Sequence, residues 1–473
     1  HLLVCIAIAA SAVLAAVYPP IGLVIGLGAV GFMVVLWLTL ARPAVGLGLL
    51  FVAIPWARFG LQTSVIRVSP SNLLLVLLLA SLTLRLAVGA QRPRLHATHF
   101  ALAVLVAASI MSCAGAADVR QALRMQTTMV GCALTYTVAL WVPRNQRDVG
   151  LVSQIVGCAC VVAAAIGVLQ AVLYRVSGTQ LPLGYTHLHL GLSKLAWPRV
   201  TGPSNDPNQF AIYLLPGLGV MAHQALSASS KRLCNWALLG CAVLVAGLVL
   251  SYSRGGWLGG LICLGILAAL RWGRSASRLW FGIALALLLA PVAWPLARST
   301  YDMTVGLNIA SAEEHVLGWR HAVAVMRGHW LLGVGGTSTY QALAGSSALS
   351  VSAGREAYPH SSVLSLLLAS GVLGVTAWSI WLWVVLRSGL RGVRSGQGAN
   401  AGLFAGCVGM LVASLFFDAW VFPYMWFIPG LVHASAVLSV GRRAPTGDEG
   451  NGDGSGATRD ASAARAGVSA RSS

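Results

Sequence analysis

The chain has 473 residues, of which 57% are hydrophobic and 9% are charged, and its mean hydropathy is +0.78. A soluble protein of this length carries about 25% charged residues, so the composition excludes an ordinary soluble enzyme. It predicts an all-α polytopic membrane protein. The formal charge of +19 does not indicate a nucleic-acid partner, because most basic residues lie in short loops between apolar runs, where membrane topology places them.

Apolar runs recur along the whole chain and predict a bundle of about 12–14 transmembrane helices. We interpret the apolar start at His1 as a first span rather than a cleaved signal peptide. The third run is a candidate re-entrant segment, and the last two are candidates for one broken element. The predicted spans are Leu2–Val17, Ile21–Leu40, Ala44–Ala57, Leu73–Val88, Phe100–Ser112, Met125–Val142, Leu151–Tyr174, Phe210–Leu226, Leu233–Ser251, Trp257–Leu270, Leu279–Leu296, Val363–Leu386, Leu403–Phe417 and Trp420–Leu438.

Clusters of basic residues set the predicted orientation. An even number of spans separates the clusters, which begin at Arg85, Arg144, Lys231, Arg271, Arg387 and Arg442, so the positive-inside rule makes them all cytoplasmic. The two long connections then face the periplasm of a bacterium. The predicted domains are N-terminal transmembrane helices (1–174), central transmembrane helices with a periplasmic loop 175–209 (175–296), a large periplasmic loop with an amphipathic helix (297–362), C-terminal transmembrane helices (363–440) and a disordered cytoplasmic tail (441–473).

The large loop contains the pattern of an amphipathic helix. Ser311–Glu314 forms a capping box, apolar residues then recur with a helical period, and Gly328 is a candidate stop. We expect this helix on the outer membrane surface, with its apolar face on lipid or on the bundle. Its apolar residues are Val316, Trp319, Val323 and Met326, and its basic residues are Arg320, His321 and Arg327.

Several arginines fall on the outward side, where arginine is normally sparse and few acids neutralise it. A guanidinium binds phosphate oxygens as a fork and keeps its charge. An anionic ligand is therefore the simplest explanation. The arginines are Arg199, Arg254, Arg320, Arg327 and Arg355.

Arg199 comes shortly before Asn205–Asn208, where Asp206 or Asn205 can cap a helix and Pro207 suits the first turn. That helix start would aim backbone amides at the region of Arg199, as phosphate sites do. A capped loop with a surface arginine remains the alternative.

Arg254 lies in Ser251–Trp257, whose glycine pair permits close approach of a ligand or of the backbone. An interfacial anchor beside Trp257 remains the alternative. Further along, Gly333–Gly336 carries several backbone amides, but it lacks the lysine and the strand of a nucleotide-binding loop. We interpret it as a plain turn.

His360 is the candidate general base. Pro359 precedes it, and Ser361 can cap the apolar helix that begins near Val363. A helix N-terminus disfavours a protonated imidazole, so we predict a neutral ring that is able to accept a proton. The weaker candidates are His187 and His189 in a loop, and His223 and His433, which we expect to be satisfied within the bundle.

The sequence predicts no metal and no cofactor. Nearly all of the nine cysteines lie in apolar runs, with neither a disulfide framework nor metal-ligand spacing. The acids of the large loop do not assemble into a magnesium site, and the sequence has no Asp-x-Asp motif. Arginines would then neutralise the charge of the substrate.

His360-Ser361, nine further residues and Gly371-Val-Leu-Gly374 resemble the pattern of the O-antigen ligase family, within the wider group of O-antigen polymerases and protein O-oligosaccharyltransferases. The family pattern is His, then Asn, Ser or Gln, then nine residues, then Gly-x-x-Gly. The Arg-x-x-Gly at Arg199, the Ser-Arg-Gly-Gly at Arg254 and the large late loop are also similar. The family has an arginine in this loop ahead of the histidine, for which Arg320 is our choice and Arg327 the alternative.

The resemblance implies a glycosyltransferase of lipopolysaccharide biosynthesis that moves a glycan from undecaprenyl diphosphate to lipid A–core, at the periplasmic face of the Gram-negative inner membrane. It implies an inverting, metal-independent reaction in which His360 deprotonates the acceptor hydroxyl. The diphosphate would be bound by Arg199, Arg254 and Arg320, with Arg327, Asn208 and His321 as further candidates. The alternatives are a polymerase, a protein O-oligosaccharyltransferase and, in a different class, a transporter or flippase of an anionic lipid-linked glycan.

Overall fold

A computed structural model of the chain describes residues 31, 33–62, 67–89, 95–178, 199–271, 318–336, 360–395 and 399–440. This part of the chain is helical apart from one small hairpin, in which Leu61–Gln62 (β1) pairs antiparallel with Arg67–Val68 (β2). The helices are α1 (33–41), α2 (Pro43–Ala53), α3 (Pro70–Ala87), α4 (Ala97–Ser112), α5 (Val119–Trp141), α6 (Gln146–Ser177), α7 (Pro207–Ser227), α8 (Lys231–Leu250), α9 (Arg254–Arg271), α10 (318–325), α11 (Ser362–Arg394), α12 (Ala399–Ala413) and α13 (Tyr424–Val440), with short 3-10 helices at Ile54–Phe59, Cys113–Gly115 and Ser414–Phe416.

Seven of the described helices are long and apolar enough to cross a membrane, namely α3, α4, α6, α7, α8, α9 and α11. Shorter apolar helices lie at Pro43–Ala57, Ala401–Phe416 and Tyr424–Ser439. The chain is therefore an all-α polytopic membrane protein, as its composition predicts. The predicted spans Leu2–Val17 and Leu279–Leu296 lie outside the described residues, as does most of the first half of Ile21–Leu40.

Most of the described helices begin earlier than the apolar runs that predicted them, because residues outside those runs, several of them polar, form their first turns. Asn145 caps α6, where its side chain accepts the N–H of Asp148 at 3.0 Å, so this helix begins five residues before the predicted span. Ser230 caps α8 in the same way, through the N–H of Leu233 at 3.3 Å. Capping side chains satisfy donors that have no partner within the helix. Helix α12 and helix α13 are separate elements, joined through residues 414–423.

Aromatic side chains fill the centre of the bundle. Trp381 and Trp426 are fully buried with ring centroids 4.9 Å apart, and Phe51 stacks on Tyr213 at 4.7 Å. Such side chains bury large areas and join distant parts of the chain. Here they connect α2, α7, α11 and α13 into a single core.

Glycines allow close helix packing where the aromatic side chains are absent. A Cβ on Gly402 of α12 would lie 2.6 Å from the Gly219 carbonyl oxygen of α7, and one on Gly409 would lie 2.5 Å from that of Gly259 in α9. Helix association in lipid depends on such backbone approach, because lipid and apolar side chains are equally hydrophobic.

His433 is satisfied within the bundle, as predicted. Its Nδ1 lies 2.6 Å from the Tyr136 hydroxyl, and both side chains are buried. The Gln146 amide donates to the Ser435 carbonyl at 2.7 Å and to the Ser439 hydroxyl at 2.9 Å. These bonds hold α13 against α5 and α6.

Candidate functional site

Arg199 joins the end of α8 to the start of α7. Its Nε donates to the Ser251 carbonyl at 2.8 Å, and its terminal nitrogen donates to Asn208 Oδ1 at 3.0 Å. The next residue, Val200, donates its backbone N–H to the Leu250 carbonyl at 3.1 Å. The guanidinium is therefore held by two acceptors, which leaves its remaining donors for a ligand.

The start of α7 confirms one prediction and corrects another. Asp206 is the N-cap and Pro207 the first helical residue, as the sequence indicated. The Asp206 carboxylate accepts the N–H groups of Asn208 at 2.7 Å and Gln209 at 3.1 Å. These two amides are therefore not aimed at a ligand near Arg199, because the chain's own carboxylate has taken them.

Arg254 is the first residue of α9 and is exposed. Ser253 caps this helix by accepting the Gly256 N–H at 3.2 Å. Trp257 is buried, and its indole N–H donates to the Leu248 carbonyl at 2.8 Å. The tryptophan therefore does not reach a membrane interface, which weakens the alternative in which Arg254 is an interfacial anchor beside it.

Arg199 and Arg254 lie within electrostatic range of each other. Burial lowers the pKa of Arg199, the carboxylate of Asp206 raises it, and the charge of Arg254 lowers it further. Two guanidinium groups that repel each other form a stable arrangement when an anion lies between them. The structure thus brings together two of the three arginines predicted to bind the diphosphate.

His360 lies half-buried immediately before α11, with a positive φ of 43°. Non-glycine residues are uncommon in this region of backbone space, and they cluster at functional sites. The helix begins at Ser362 with Ser361 at the N-cap, but the Ser361 side chain makes no capping bond. The prediction that Ser361 occupies the N-cap is therefore confirmed, but its side chain does not form the expected bond to the helix amides.

Ser362 attaches the start of α11 to the segment that follows α12. Its hydroxyl donates to the Phe417 carbonyl at 2.8 Å and accepts the Ala419 N–H at 2.8 Å. The other side of this segment meets α9, because a Cβ on Gly255 would lie 3.4 Å from Phe416 Cβ and 3.2 Å from the Ala413 carbonyl. Residues 413–419 therefore connect the neighbours of Arg254 with those of His360.

Four helices begin around this connecting segment: α7, α9, α11 and α13. Tyr424, the first residue of α13, stacks on Phe422 at 5.6 Å and places its hydroxyl 3.5 Å from the Gln209 carbonyl of α7. We call this region, with Arg199, Arg254 and His360, the His360 end of the bundle. Helix N-termini carry partial positive charge, so this end combines helix dipoles with two guanidinium groups and favours an anion.

Asp418 is a residue at the His360 end that the sequence reasoning missed. It is 2% exposed and lies between Phe417 and Ala419, the two residues that bind the Ser362 hydroxyl. The sequence feature that could have identified it is that Asp418 is the single acidic residue between Leu403 and Leu438. An ionisable residue in an apolar stretch of a membrane protein marks a functional site by default.

The glycine pattern after His360 has a structural role in the described residues. Helix α11 breaks at Gly371, whose φ of 62° and ψ of −167° are accessible to glycine. The N–H groups of Val372 and Leu373, released by the break, donate to the carbonyls of Trp330 and Leu331 at 2.8 and 3.3 Å. The loop therefore docks on α11 at the point where the helix is interrupted.

The turn at Gly333–Gly336 completes this docking and confirms the prediction of a plain turn. Val334 and Gly336 donate to the Leu368 carbonyl at 2.8 and 3.1 Å, and Gly335 donates to the Ser112 hydroxyl at 2.6 Å. Gly333 donates to the His329 carbonyl at 2.8 Å. All four amides have partners within the protein, so none of them is directed at a phosphate.

Helix α10 carries Arg320, which is exposed, and Arg327 follows in the next turn and is also exposed. The helix packs on α11 through Ala322 and Met326, which cluster with Val334 and Leu368. Of the predicted apolar face, Met326 is buried against the bundle, whereas Trp319 and Val323 are 37% and 44% exposed. The capping box at 311–314 lies outside the described residues.

His321 is half-buried on α10, and burial lowers its pKa.

Within the described ranges, no group of three or more His, Cys, Asp or Glu side chains is arranged to hold a metal ion. The eight cysteines that the structure describes are free thiols, five of them buried.

In a comparison with known protein families, residues 239–379 match the family described as O-antigen ligase. No curated protein matches the chain. A solved chain from a study of the structural coordination of polymerization and crosslinking by a peptidoglycan synthase complex has 17% identity and a TM-score of 0.42, covering 73% of this chain and 98% of its own. The family match includes Arg254, Arg320 and the His360 pattern, and Arg199 precedes it. The resemblance seen in the sequence is confirmed to the extent that residues 239–379 match the O-antigen ligase family.

Proposed function

We propose that the chain is an O-antigen ligase, which moves a glycan from undecaprenyl diphosphate to lipid A–core at the periplasmic face of a Gram-negative inner membrane. The family match supports a membrane glycosyl-transfer enzyme in general. The donor, the acceptor, the membrane and the roles of individual residues belong to the proposal.

Two observations carry the proposal. Arg199 lies within electrostatic range of Arg254, and residues 413–419 join the neighbours of Arg254 to those of His360. A glycan leaving its lipid carrier transfers negative charge to the diphosphate. Forked guanidinium groups bind such oxygens in two places and stay charged. Stabilisation of developing charge by one preorganised donor is typically worth about 10²–10³ in rate.

In this proposal His360 removes the proton from the acceptor hydroxyl as that oxygen attacks the anomeric carbon. The C–O bond to the diphosphate breaks as the new bond forms, and direct attack inverts the anomeric centre. The N-terminus of a helix disfavours a protonated imidazole, which suits a base at this position, and a positioned base is typically worth about 10²–10⁴-fold. Arg320 supplies a third cation with Arg327 as the alternative, and Asn208 orients Arg199.

The test is reconstitution of the purified chain with lipid-linked glycan and lipid A–core, followed by detection of the joined product. His360→Ala is the informative variant, and His329→Ala is its matched control because His329 is an exposed histidine of the same loop. We expect the first to lose transfer by at least about 10²-fold and the second to keep it.

The same reconstitution separates the alternatives. Growth of glycan chains in the absence of lipid A–core identifies a polymerase, and transfer to a protein acceptor identifies an oligosaccharyltransferase. Movement of the lipid-linked glycan across the bilayer without any joined product identifies a flippase. A ligation rate in His360→Ala equal to that of the unchanged chain refutes the assignment of the base.

A further inference from the structure

Gln170 is a buried polar residue of the apolar helix α6, and it binds the loop that carries Arg199. Its amide nitrogen donates to the Gly202 carbonyl at 2.9 Å, and its amide oxygen accepts the Gly202 N–H at 2.9 Å. The glutamine side chain is 1% exposed. One side chain thus satisfies both backbone groups of one loop residue, at a place where bulk water does not offer a substitute.

This contact lies below the end of α6. Gln170 precedes the last residue of that helix, Ser177, by seven residues, which is about 10 Å along the helix axis. Within a membrane protein, non-helical backbone is tolerated at such a depth only where protein groups satisfy it. Gln170 therefore allows the loop between Arg199 and α7 to enter the bundle rather than lie over it.

The loop is also fitted closely to its neighbours. Gly202 has a φ of 55°, a left-handed conformation that favours glycine, and a Cβ at this position would overlap the Phe210 ring. On the same face of α6 as Gln170, Gly167 leaves room for Val200, whose Cγ2 would lie 3.3 Å from an added Cβ. The loop is therefore held against α6 by two hydrogen bonds and by close packing.

The backbone that follows Arg199 has attachments to two different helices. Val200 donates to the carbonyl of the last residue of α8 at 3.1 Å, and Gly202 is bound by Gln170 of α6. The position of Arg199 needs this support, because burial and the charge of Arg254 both disfavour a cation there. A loop without these attachments would relieve that cost by moving the guanidinium outward.

We propose that Gln170 is a positioning residue for Arg199, and that it holds this arginine in the geometry that binds the diphosphate before the ligand arrives. The inference rests on the proposed function for the diphosphate, and it adds to that site a residue that touches no substrate. Such preorganisation raises affinity, because the loop does not have to be ordered when the ligand binds.

The test compares Gln170→Met, which is similar in length and removes both hydrogen-bonding groups, with Gln154→Met. Gln154 is an exposed glutamine of the same helix, so it controls for substitution in α6. Hydrogen exchange reports on the loop. For binding to the purified full chain, the probe is farnesyl diphosphate, and farnesol is the uncharged reference.

The Gly202 amide should exchange about 30-fold faster in Gln170→Met, which is the effect of losing two hydrogen bonds. The preference for farnesyl diphosphate over farnesol should fall about tenfold, the effect of one weakened charge-assisted contact. Gln154→Met should change neither quantity. In the transfer assay, Gln170→Met should raise the donor KM and leave the acceptor KM unchanged.

Two further variants separate positioning from a general effect on stability. In an Arg199→Ala chain, adding Gln170→Met should lower the preference for diphosphate no further, because Gln170 acts through Arg199. Gln170→Glu should match the unchanged chain at low pH, where a protonated carboxyl has both the donor and the acceptor of the amide. At high pH this variant should bind less diphosphate than the unchanged chain, because its donor is lost.

An unchanged exchange rate or an unchanged preference for diphosphate in Gln170→Met overturns the proposal, as does a further tenfold loss in the Arg199→Ala chain. Lack of any preference for diphosphate in the unchanged chain overturns it as well. If Gln170→Met does not insert, Gln170→Glu decides, and binding in constant ratio to the unchanged chain at all pH values overturns the proposal.

Binding needs no transfer, so this inference and the proposed function fail separately. The expected binding differences in a chain that joins no glycan to lipid A–core support the role of Gln170 and refute the ligase. Ligation in a chain whose diphosphate binding is unaffected by Gln170→Met supports the ligase and overturns the role of Gln170.

Discussion

Gly371→Ala tests whether the break in α11 holds the loop in place. The backbone at Gly371, with φ 62° and ψ −167°, belongs to a region in which other residues cost about 1–3 kcal/mol. An alanine Cβ would overlap the Leu331 carbonyl and lie 2.6 Å from the Leu332 nitrogen. The substitution therefore forces the loop away from α11.

The expected cost follows from the bonds that are lost. Val372 and Leu373 each donate one hydrogen bond to the loop, and each bond contributes about 1 kcal/mol. With the backbone strain, the total is about 3–5 kcal/mol, a large share of the about 5–15 kcal/mol that stabilises a typical protein. Because this cost falls on the docked arrangement alone, we expect the loop to undock while the bundle stays folded.

Hydrogen exchange and transfer assays measure the two consequences. The amides of Val334 and Gly336, which bind the Leu368 carbonyl, should exchange about 10²-fold faster or more in the variant, as a loss of about 3 kcal/mol implies. Transfer in reconstituted vesicles should fall by a similar factor. Gly131→Ala is the control, since its Cβ meets nothing within 4 Å. Exchange and transfer at unchanged rates in Gly371→Ala would refute the docking argument.

Three further predictions concern the His360 end. Arg254→Lys should lower transfer about tenfold or more because a point charge does not replace a fork. Arg232→Lys, in the first turn of α8 and so at the far end of that helix from Arg254, should be neutral, and equal rates in both variants would make Arg254 an anchor. Asp418→Asn keeps the shape of a buried side chain and replaces its carboxyl group with an amide, so transfer should fall about tenfold or more with insertion unchanged, and a normal rate would assign Asp418 to structure alone. Transfer should survive excess EDTA, and a loss that added Mg²⁺ restores would establish a metal mechanism.

Local chemistry explains which parts of the fold the sequence predicts well. Membrane spans require continuous apolar runs, so most helices are found, and caps such as Asp206 with Pro207 act through neighbours in the chain. The starts of α6 and α8 were placed late, because hydropathy does not count the polar first turn. Such errors follow from the signal used and do not change the fold class.

The break at Gly371 was not predicted, because nothing local requires it. The run Val363–Leu386 is continuously apolar, and glycine is common within membrane helices. The break exists because the carbonyls of Trp330 and Leu331 accept the released N–H groups. Those partners lie about forty residues earlier in the chain, where a helical period carries no information about them.

The candidate site also depends partly on local sequence pattern and partly on contacts between residues that are far apart in the chain. Arg199, Arg254 and His360 were selected from the sequence by charge and by local pattern. Their common location depends on Ser362 and the segment 413–419, more than fifty residues away. Asp418 was overlooked because the prediction placed it in the short loop between two spans. An acidic residue is ordinary in a loop and does not indicate a site there.

The spacing of the family pattern acquires a physical meaning from these contacts. His360 stands at one end of a short helical segment that closes at Gly371, and nine helical residues span about 13 Å. One end is fixed by Ser362 on residues 417–419, and the other by the docked loop. Because each residue adds about 100° of rotation, inserting or deleting one residue would turn His360 away from that segment whenever the loop was docked. The nine-residue interval therefore sets the distance and the orientation of the histidine relative to the loop that carries Arg320.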